Sequence, residues 1–232
     1  MENKYDLIFF DFDDTLFDYE KTEERALREA FSYFGLNYKP DFYNIFKRIN
    51  RNLWQHHNKN NASGNQILKL KRFQQLLLEL KIDFHAEQLS VKYTELSQIG
   101  DLIEGVEETI KRLSEDIQLV IISNGPCTPR IEKLANSPIA GKFKFYTSET
   151  FDGRFEKPNP DFFREILKNY RNVLKERILV VGDKLSTDIL GANKAGLKSV
   201  WFPYREHEEN CPEAKPDYTI NKFNELLTIV YE

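Results

Sequence analysis

The sequence is poor in residues that staple small folds or hold soft metals. Only two of its 232 residues are cysteine, Cys127 and Cys211, far apart and without a Cys-x-x-Cys pair. That excludes a disulfide framework or zinc cluster from the expected architecture and leaves both as reduced bystanders. The four histidines, His56, His57, His85 and His207, stand near no Ser or Cys motif of the nucleophile-elbow kind. A hydrolytic triad therefore has no support, and the His56-His57 pair reads as solvated. Gly-x-x-x-x-Gly-Lys-Ser/Thr and Gly-x-Gly-x-x-Gly are both missing, which argues against a P-loop NTPase or a dinucleotide enzyme. No apolar run approaches the roughly 18 residues of a membrane span, and Met1 to Asp6 leads straight into a strand-like run with no signal-peptide pattern. The expectation is a soluble, cytoplasmic chain with no membrane partner. Positive charge is also short: 33 Lys and Arg against 37 Asp and Glu leave a net charge of -4. No global basic field is available for polymeric nucleic acid, though a local basic pocket can still form.

What is present is enough hydrophobic sequence, 41% of the residues, for a sizeable core. Strand-length apolar runs recur at Tyr5 to Phe10, Gln118 to Ile122, Lys144 to Thr147, Ile178 to Val181 and Ser199 to Phe202. Helical patterns separate most of them, which predicts an α/β fold with a doubly wound, mostly parallel, Rossmann-like sheet. A short strand at Tyr218 to Ile220 and a helix from Phe223 to Val230 close it.

One interval breaks the alternation. Ala26, Leu27, Ala30, Phe31 and Phe34 form one helical stripe; Phe42, Ile45, Phe46, Ile49 and Leu53 a second; Ile67, Leu70, Phe73, Leu77 and Leu80 a third. A fourth helix is expected over Ala86 to Ser97, and a loop over His56 to Asn65. This divides the chain into an α/β core, residues 1–17 and 104–232, and an inserted α-helical domain, residues 18–103. An insert leaving near the first strand sits above that strand's end, where such sheets bind ligands.

The strongest chemical signal is Phe10-Asp11-Phe12-Asp13-Asp14-Thr15-Leu16, directly after the first apolar run. In extended chain, residues two apart point the same way, so Asp11 and Asp13 can face one site while Phe12 packs elsewhere. Carboxylates that close repel unless a cation or hydrogen-bond donors offset the charge. An acidic loop that merely turns the chain and caps the next helix is the plainer alternative. Ser123-Asn124-Gly125 ends the second strand, where a hydroxyl and exposed amides can hold phosphate oxygens; the same tripeptide also makes an ordinary turn. Lys157 lies in Glu156-Lys157-Pro158-Asn159-Pro160, just before a helix starting near Asp161, and alone reads as a surface lysine. Gly182-Asp183 ends a further strand, with Asp188 five residues on, oxygen ligands of the kind a hard divalent cation takes.

In this order, Asp11-x-Asp13-x-Thr15, Ser123, Lys157 and Gly182-Asp183-x-x-x-x-Asp188 resemble the four motifs of the haloacid dehalogenase (HAD) superfamily, and the helical interval resembles its type 1 cap. The resemblance implies that Asp11 is the nucleophile and Asp13 the general acid/base. Mg2+ would be bound by the Asp11 carboxylate, the Asp13 carbonyl and Asp183, supported by Asp188. Thr15, Ser123, Asn124, Gly125 and Lys157 would form the phosphate site, with Thr15 orienting the first loop. Dehalogenation needs no acid to protonate an alkoxide, so Asp13 favours phosphoryl transfer.

The segment Asn50-x-x-Leu53-Trp54, with Arg72-Phe73, is similar to the YjjG branch, pyrimidine 5'-nucleotidases. It implies a nucleoside monophosphate substrate, with Trp54 and Arg72 as substrate-binding residues; Trp54 reads equally as helix core. Arg154-Phe155-Glu156 before Lys157 and Lys184 after Asp183 depart from the pattern. A phosphatase or phosphomutase acting on a sugar phosphate or phosphoglycolate is an alternative. So is an aspartate phospho-switch, although in receiver domains the phosphorylated Asp follows a later strand and no helical insert intervenes.

Overall fold

A computed structural model describes residues 3–55, 62–205 and 210–231, the side chains of 62–66 excepted. His56, His57 and His207 lie outside these residues. The chain divides into two compact units, Met1–Tyr19 with Gly100–Glu232, and Glu20–Ile99.

The first unit is a six-stranded, wholly parallel sheet of β1 (Leu7–Phe10), β2 (Gln118–Ser123), β3 (Phe143–Thr147), β4 (Ile178–Gly182), β5 (Lys198–Trp201) and β6 (Tyr218–Thr219), in spatial order β3-β2-β1-β4-β5-β6. Parallel strands are covered on both faces, so they read as continuous apolar runs. Alternate residues of β1 serve two cores. Ile8 and Phe10 pack in a cluster with Val106, Ile110, Leu113, Leu226 and Val230. Leu7 and Phe9 pack in another with Phe162, Phe163, Ile166 and Ala192. The strands expected from the sequence are present with ends shifted by one or two residues.

The second unit contains α1 (Tyr19–Tyr33) from its second residue on, α2 (Phe42–Gln55), α3 (Ala62–Leu80) and α4 (Ala86–Ser97). Its core joins Ala26, Leu27, Phe31, Phe46, Ile49, Phe73, Leu76 and Leu77. The loop expected over His56 to Asn65 is corrected in part: residues 62–65 open α3, and 56–61 lie outside the described residues. Ile67, expected in the third stripe, is exposed, and Leu76 takes up the burial one turn beyond Phe73.

The unit boundaries fall inside the 18–103 division read from the sequence, for a backbone reason. Phe17 bridges Leu102, the Asp18 amide donates to the Asp101 carbonyl at 2.8 Å, and the Ile103 amide donates to Leu16 at 3.1 Å. These bonds keep residues 100–103 with the α/β unit.

Candidate active site

Sheet order assembles the site. β1 lies between β2 and β4 with Phe10 level with Ile121 and Val181. The residues at or just past these strand ends, Ser123, Asp11 and Asp183, are therefore neighbours. Past β1 the chain turns sharply: Asp14 takes a left-handed conformation at φ 60°, which aspartate tolerates better than most residues. The Asp14 carboxylate accepts from the Tyr19 amide at 3.0 Å and from Arg205 Nε at 3.0 Å, fixing the turn. After β4 a π-turn, Leu185–Ile189, runs into a short helix, Leu190–Ala195. Its Asp188 side chain occupies the space a Cβ on Gly182 would need, 2.4 Å from the built position. Glycine is required there for the carboxylate to reach the site.

Lys157 is the hub. Its ammonium, 3% exposed as a residue, donates to Asp11 Oδ1 at 2.5 Å, Asp188 Oδ1 at 2.6 Å and the Ile122 carbonyl at 3.1 Å. Burial works against its charge, but Asp11 and Asp188 outweigh it and hold the lysine above its ordinary range. Asn124 fixes Lys157 from behind, donating from Nδ2 to the Lys157 carbonyl at 2.7 Å and accepting the Lys157 amide at 2.8 Å. The Asn124 side chain thus braces the lysine loop, while the residue lines the site cavity. The Ser123 hydroxyl accepts the Gly125 amide at 3.3 Å.

Three carboxylates, Asp11, Asp183 and Asp188, each bring an oxygen within 4.8 Å of the others. Both Asp183 oxygens are buried without a hydrogen-bond partner, and Lys184 Nζ stands 3.9 Å away. Burial, then the Asp11 and Asp188 charges, pushes the Asp183 carboxyl up to about 8. Burial raises Asp11 to about 6 against the pull of Lys157. Buried carboxylates that crowd without donors can hold a divalent cation.

Asp11, Asp13, Ser123, Asn124, Gly125, Lys157 and Asp188 line one cavity of about 120 Å3. Arg130, Lys184 and Thr187 line it too and were not expected as site residues. A signal for Arg130 existed: a cation in the first turn of α6 (Cys127–Ala135), the disfavoured end of a helix dipole, calls for an anionic partner. Thr15 is fully buried and is not among the residues lining this cavity, a placement that suits the loop-orienting part of its reading. The two residues read as substrate-binding lie in the helical unit. Trp54, 40% exposed, donates its indole N–H to Asn50 Oδ1 at 3.0 Å. Arg72 is buried with its guanidinium 4.7 Å from the Tyr93 ring and 5.1 Å from that of Phe46. This corrects its reading as a substrate-facing cation, because the aromatic core of its own unit encloses it. Both cysteines are free, and no helix among the described residues is long and apolar enough to cross a membrane.

A carboxylate just past the end of a central parallel strand, a buried lysine paired with it and a cluster of three acids make up this site. The chain belongs to the haloacid dehalogenase-like hydrolase family, which residues 5–196 match. Among its relatives is the HAD-hydrolase YfnB of Bacillus subtilis, 30% identical over 98% of this chain and 96% of that protein. A crystal structure of YfnB bound to magnesium superposes with a TM-score of 0.77 at 29% identity, covering 99% of this chain and all of the other. The pyrimidine 5'-nucleotidase PynA of Streptococcus pneumoniae is 27% identical over 96% of this chain and 94% of its own length. The glyceraldehyde 3-phosphate phosphatase of Pyrococcus furiosus is 29% identical over 97% and 92%.

Proposed function

We propose that this hydrolase is an Mg2+-dependent phosphatase that works through an aspartyl-phosphate on Asp11, with pyrimidine nucleoside monophosphates as its substrates. The observation that carries the chemistry is the buried Lys157 held between Asp11 and Asp188 beside an Asp183 whose two oxygens have no donor. Asp11, Asp183 and the Asp13 carbonyl, with Asp188 in support, fit a hard cation that prefers oxygen ligands. Bound there, Mg2+ would offset the repulsion between the phosphate dianion and the Asp11 carboxylate.

The protein's own groups divide the reaction into two transfers. An Asp11 oxygen attacks phosphorus as the bond to the leaving oxygen breaks, and Asp13 gives its proton to that oxygen. Asp13 then takes a proton from water as the water oxygen attacks the aspartyl-phosphate, which frees phosphate and restores the Asp11 carboxylate. Lys157, Ser123 and the amides of Asn124 and Gly125 hold the phosphoryl oxygens.

The nucleotide preference is supported by the likeness to PynA and by the exposed Trp54 ring, a flat surface on which a base can stack. The helical unit is proposed as the cap that reads the leaving group. The comparable likeness to a glyceraldehyde 3-phosphate phosphatase favours a second reading, a small sugar phosphate. Phosphate release from nucleoside monophosphates, sugar phosphates and phosphoglycolate, each with Mg2+ and with EDTA, separates the two. Expected is Mg2+-dependent release led by UMP, dUMP or dTMP, with Trp54→Ala raising KM for them about tenfold, the worth of one stacked ring. Release led by a sugar phosphate would discard the nucleotidase and keep the mechanism. Absence of Mg2+-dependent release from every substrate would count against both.

A further inference from the structure

Asp13 lines the catalytic cavity, yet the charged partners of its carboxylate come from one neighbouring helix rather than from its own loop. Arg130 Nη2 forms an ion pair with Oδ2, and Lys133 Nζ stands 3.9 Å from Oδ1, both cations reaching from α6. Arg130 is itself fixed. Its Nη1 donates to the Pro126 carbonyl at 3.2 Å, and its Cζ lies 5.9 Å from the Phe12 ring centre. The guanidinium lies across Gly125 so closely that a Cβ built there would stand 1.9 Å from Nη1 and 2.2 Å from Cζ. Gly125 thus serves the arginine by being without a side chain. The ion pair is only 18% exposed on each side, so the two side chains are largely held rather than free in solvent.

We propose that Arg130 is a positioning residue for proton transfer to the leaving group: its guanidinium clamps Oδ2 of Asp13 and so, with Lys133 3.9 Å from Oδ1, fixes the orientation of the carboxyl that exchanges the proton. The role rests on the reading of Asp13 as general acid. An aspartate side chain has two free torsions, and a misplacement of about 1 Å in a reacting group can cost roughly 100-fold in rate. A planar fork that is itself anchored removes that freedom at lower entropic cost than a lysine would. The reaction is unchanged in its balance: the leaving oxygen gains the proton that Asp13 loses, and Arg130 exchanges none.

The role predicts a dependence on the leaving group. An alkoxide needs protonation as it departs, whereas nitrophenolate does not, and kcat/KM reports the steps up to that departure. Arg130→Ala and Arg130→Lys are to be compared with the unaltered enzyme on an alkyl phosphomonoester and on p-nitrophenyl phosphate, with thermal melts establishing that each is folded. Expected is a loss of kcat/KM of about 30–100-fold on the alkyl ester for Arg130→Ala and less than about threefold on the nitrophenyl ester, with partial recovery in Arg130→Lys. In an Asp13→Asn background the Arg130→Ala change should have no further effect on the alkyl ester. Equal losses on the two esters, or an undiminished effect of Arg130→Ala in the Asp13→Asn background, would overturn the proposal, since Arg130 would then act on the phosphoryl group itself. An Asp13→Asn enzyme with full turnover of the alkyl ester would remove the general-acid reading, and the positioning role with it.

Discussion

Asp11→Asn is expected to abolish turnover, by about 10^4-fold or more, while leaving the fold in place. An amide is the size of a carboxylate but is no nucleophile, and no other carboxylate stands where Asp11 does, at the end of the central strand β1. Asp188 comes instead from the π-turn after β4, where its Oδ1 already accepts from Lys157. The fold tolerates the change because Lys157 keeps Asp188 and the Ile122 carbonyl as partners. One buried negative charge that raises its neighbours is also removed. Steady-state phosphate release and a thermal melt together check this outcome. Unchanged activity in a folded variant would end the covalent mechanism.

Asp183→Asn is expected to have opposite effects on stability and on metal response. In the metal-free protein the Asp183 carboxyl is pushed up to about 8 from an ordinary value of 3.8. Between those values the folded state holds a proton that the unfolded state has released, so stability falls as pH rises from about 4 to about 8. Asp11 adds to the same slope between about 4 and 6. Asparagine carries no charge at any of these pH values. The variant should therefore melt with a shallower pH dependence and, near pH 8, be more stable than the unaltered protein by about 2 kcal/mol, the cost of a buried group without partners. Near pH 4.5, where the folded Asp183 is already protonated, the two should melt together.

The metal arm reverses the order. A cation that binds only the folded state stabilises it by about 2.7 kcal/mol at a hundredfold excess over Kd. The unaltered protein should gain such an increment from Mg2+ near pH 8, and less near pH 5, where protons compete for the same oxygens. Asp183→Asn should gain little at either pH and should lose turnover. Melts of both proteins at the two pH values, with Mg2+ and with EDTA, read all of this in one series. Equal Mg2+ shifts in the two proteins would remove Asp183 from the metal site.

The sheet was legible because strands buried on both faces are short, unbroken apolar runs, and Leu7–Phe10 and Ile178–Gly182 are examples. Residues at strand ends were legible for the same reason: once β1, β2 and β4 are identified, Asp11, Ser123 and Asp183 fall beside one another. Side-chain direction was not legible. Asn124 sits in a loop that faces two ways, and only the closeness of the Lys157 loop shows that its amide braces the lysine. Arg72 looked like a ligand-binding cation, but its three aromatic neighbours come from α2, α3 and α4, a conjunction spread over 48 positions, Phe46 to Tyr93. Arg130 escaped because its importance comes from α6 folding back over Gly125 to reach Asp13, 117 residues away in sequence. The start of α3 was misread because Ala62-Ser63-Gly64-Asn65 carries turn residues, which the longer helix overrides.

The central claim is that Asp11 carries the phosphoryl group during turnover, and trapping that group tests it most directly. The enzyme, mixed with its best substrate and Mg2+ and quenched within a turnover, is treated with borohydride, which reduces an acyl phosphate to an alcohol; the peptide holding Asp11 is then read by mass. The account predicts homoserine at position 11, only when substrate is present, and none in the Asp11→Asn protein. Full substrate turnover with an unmodified Asp11, or with the reduced residue at Asp13, Asp183 or Asp188 instead, would contradict it.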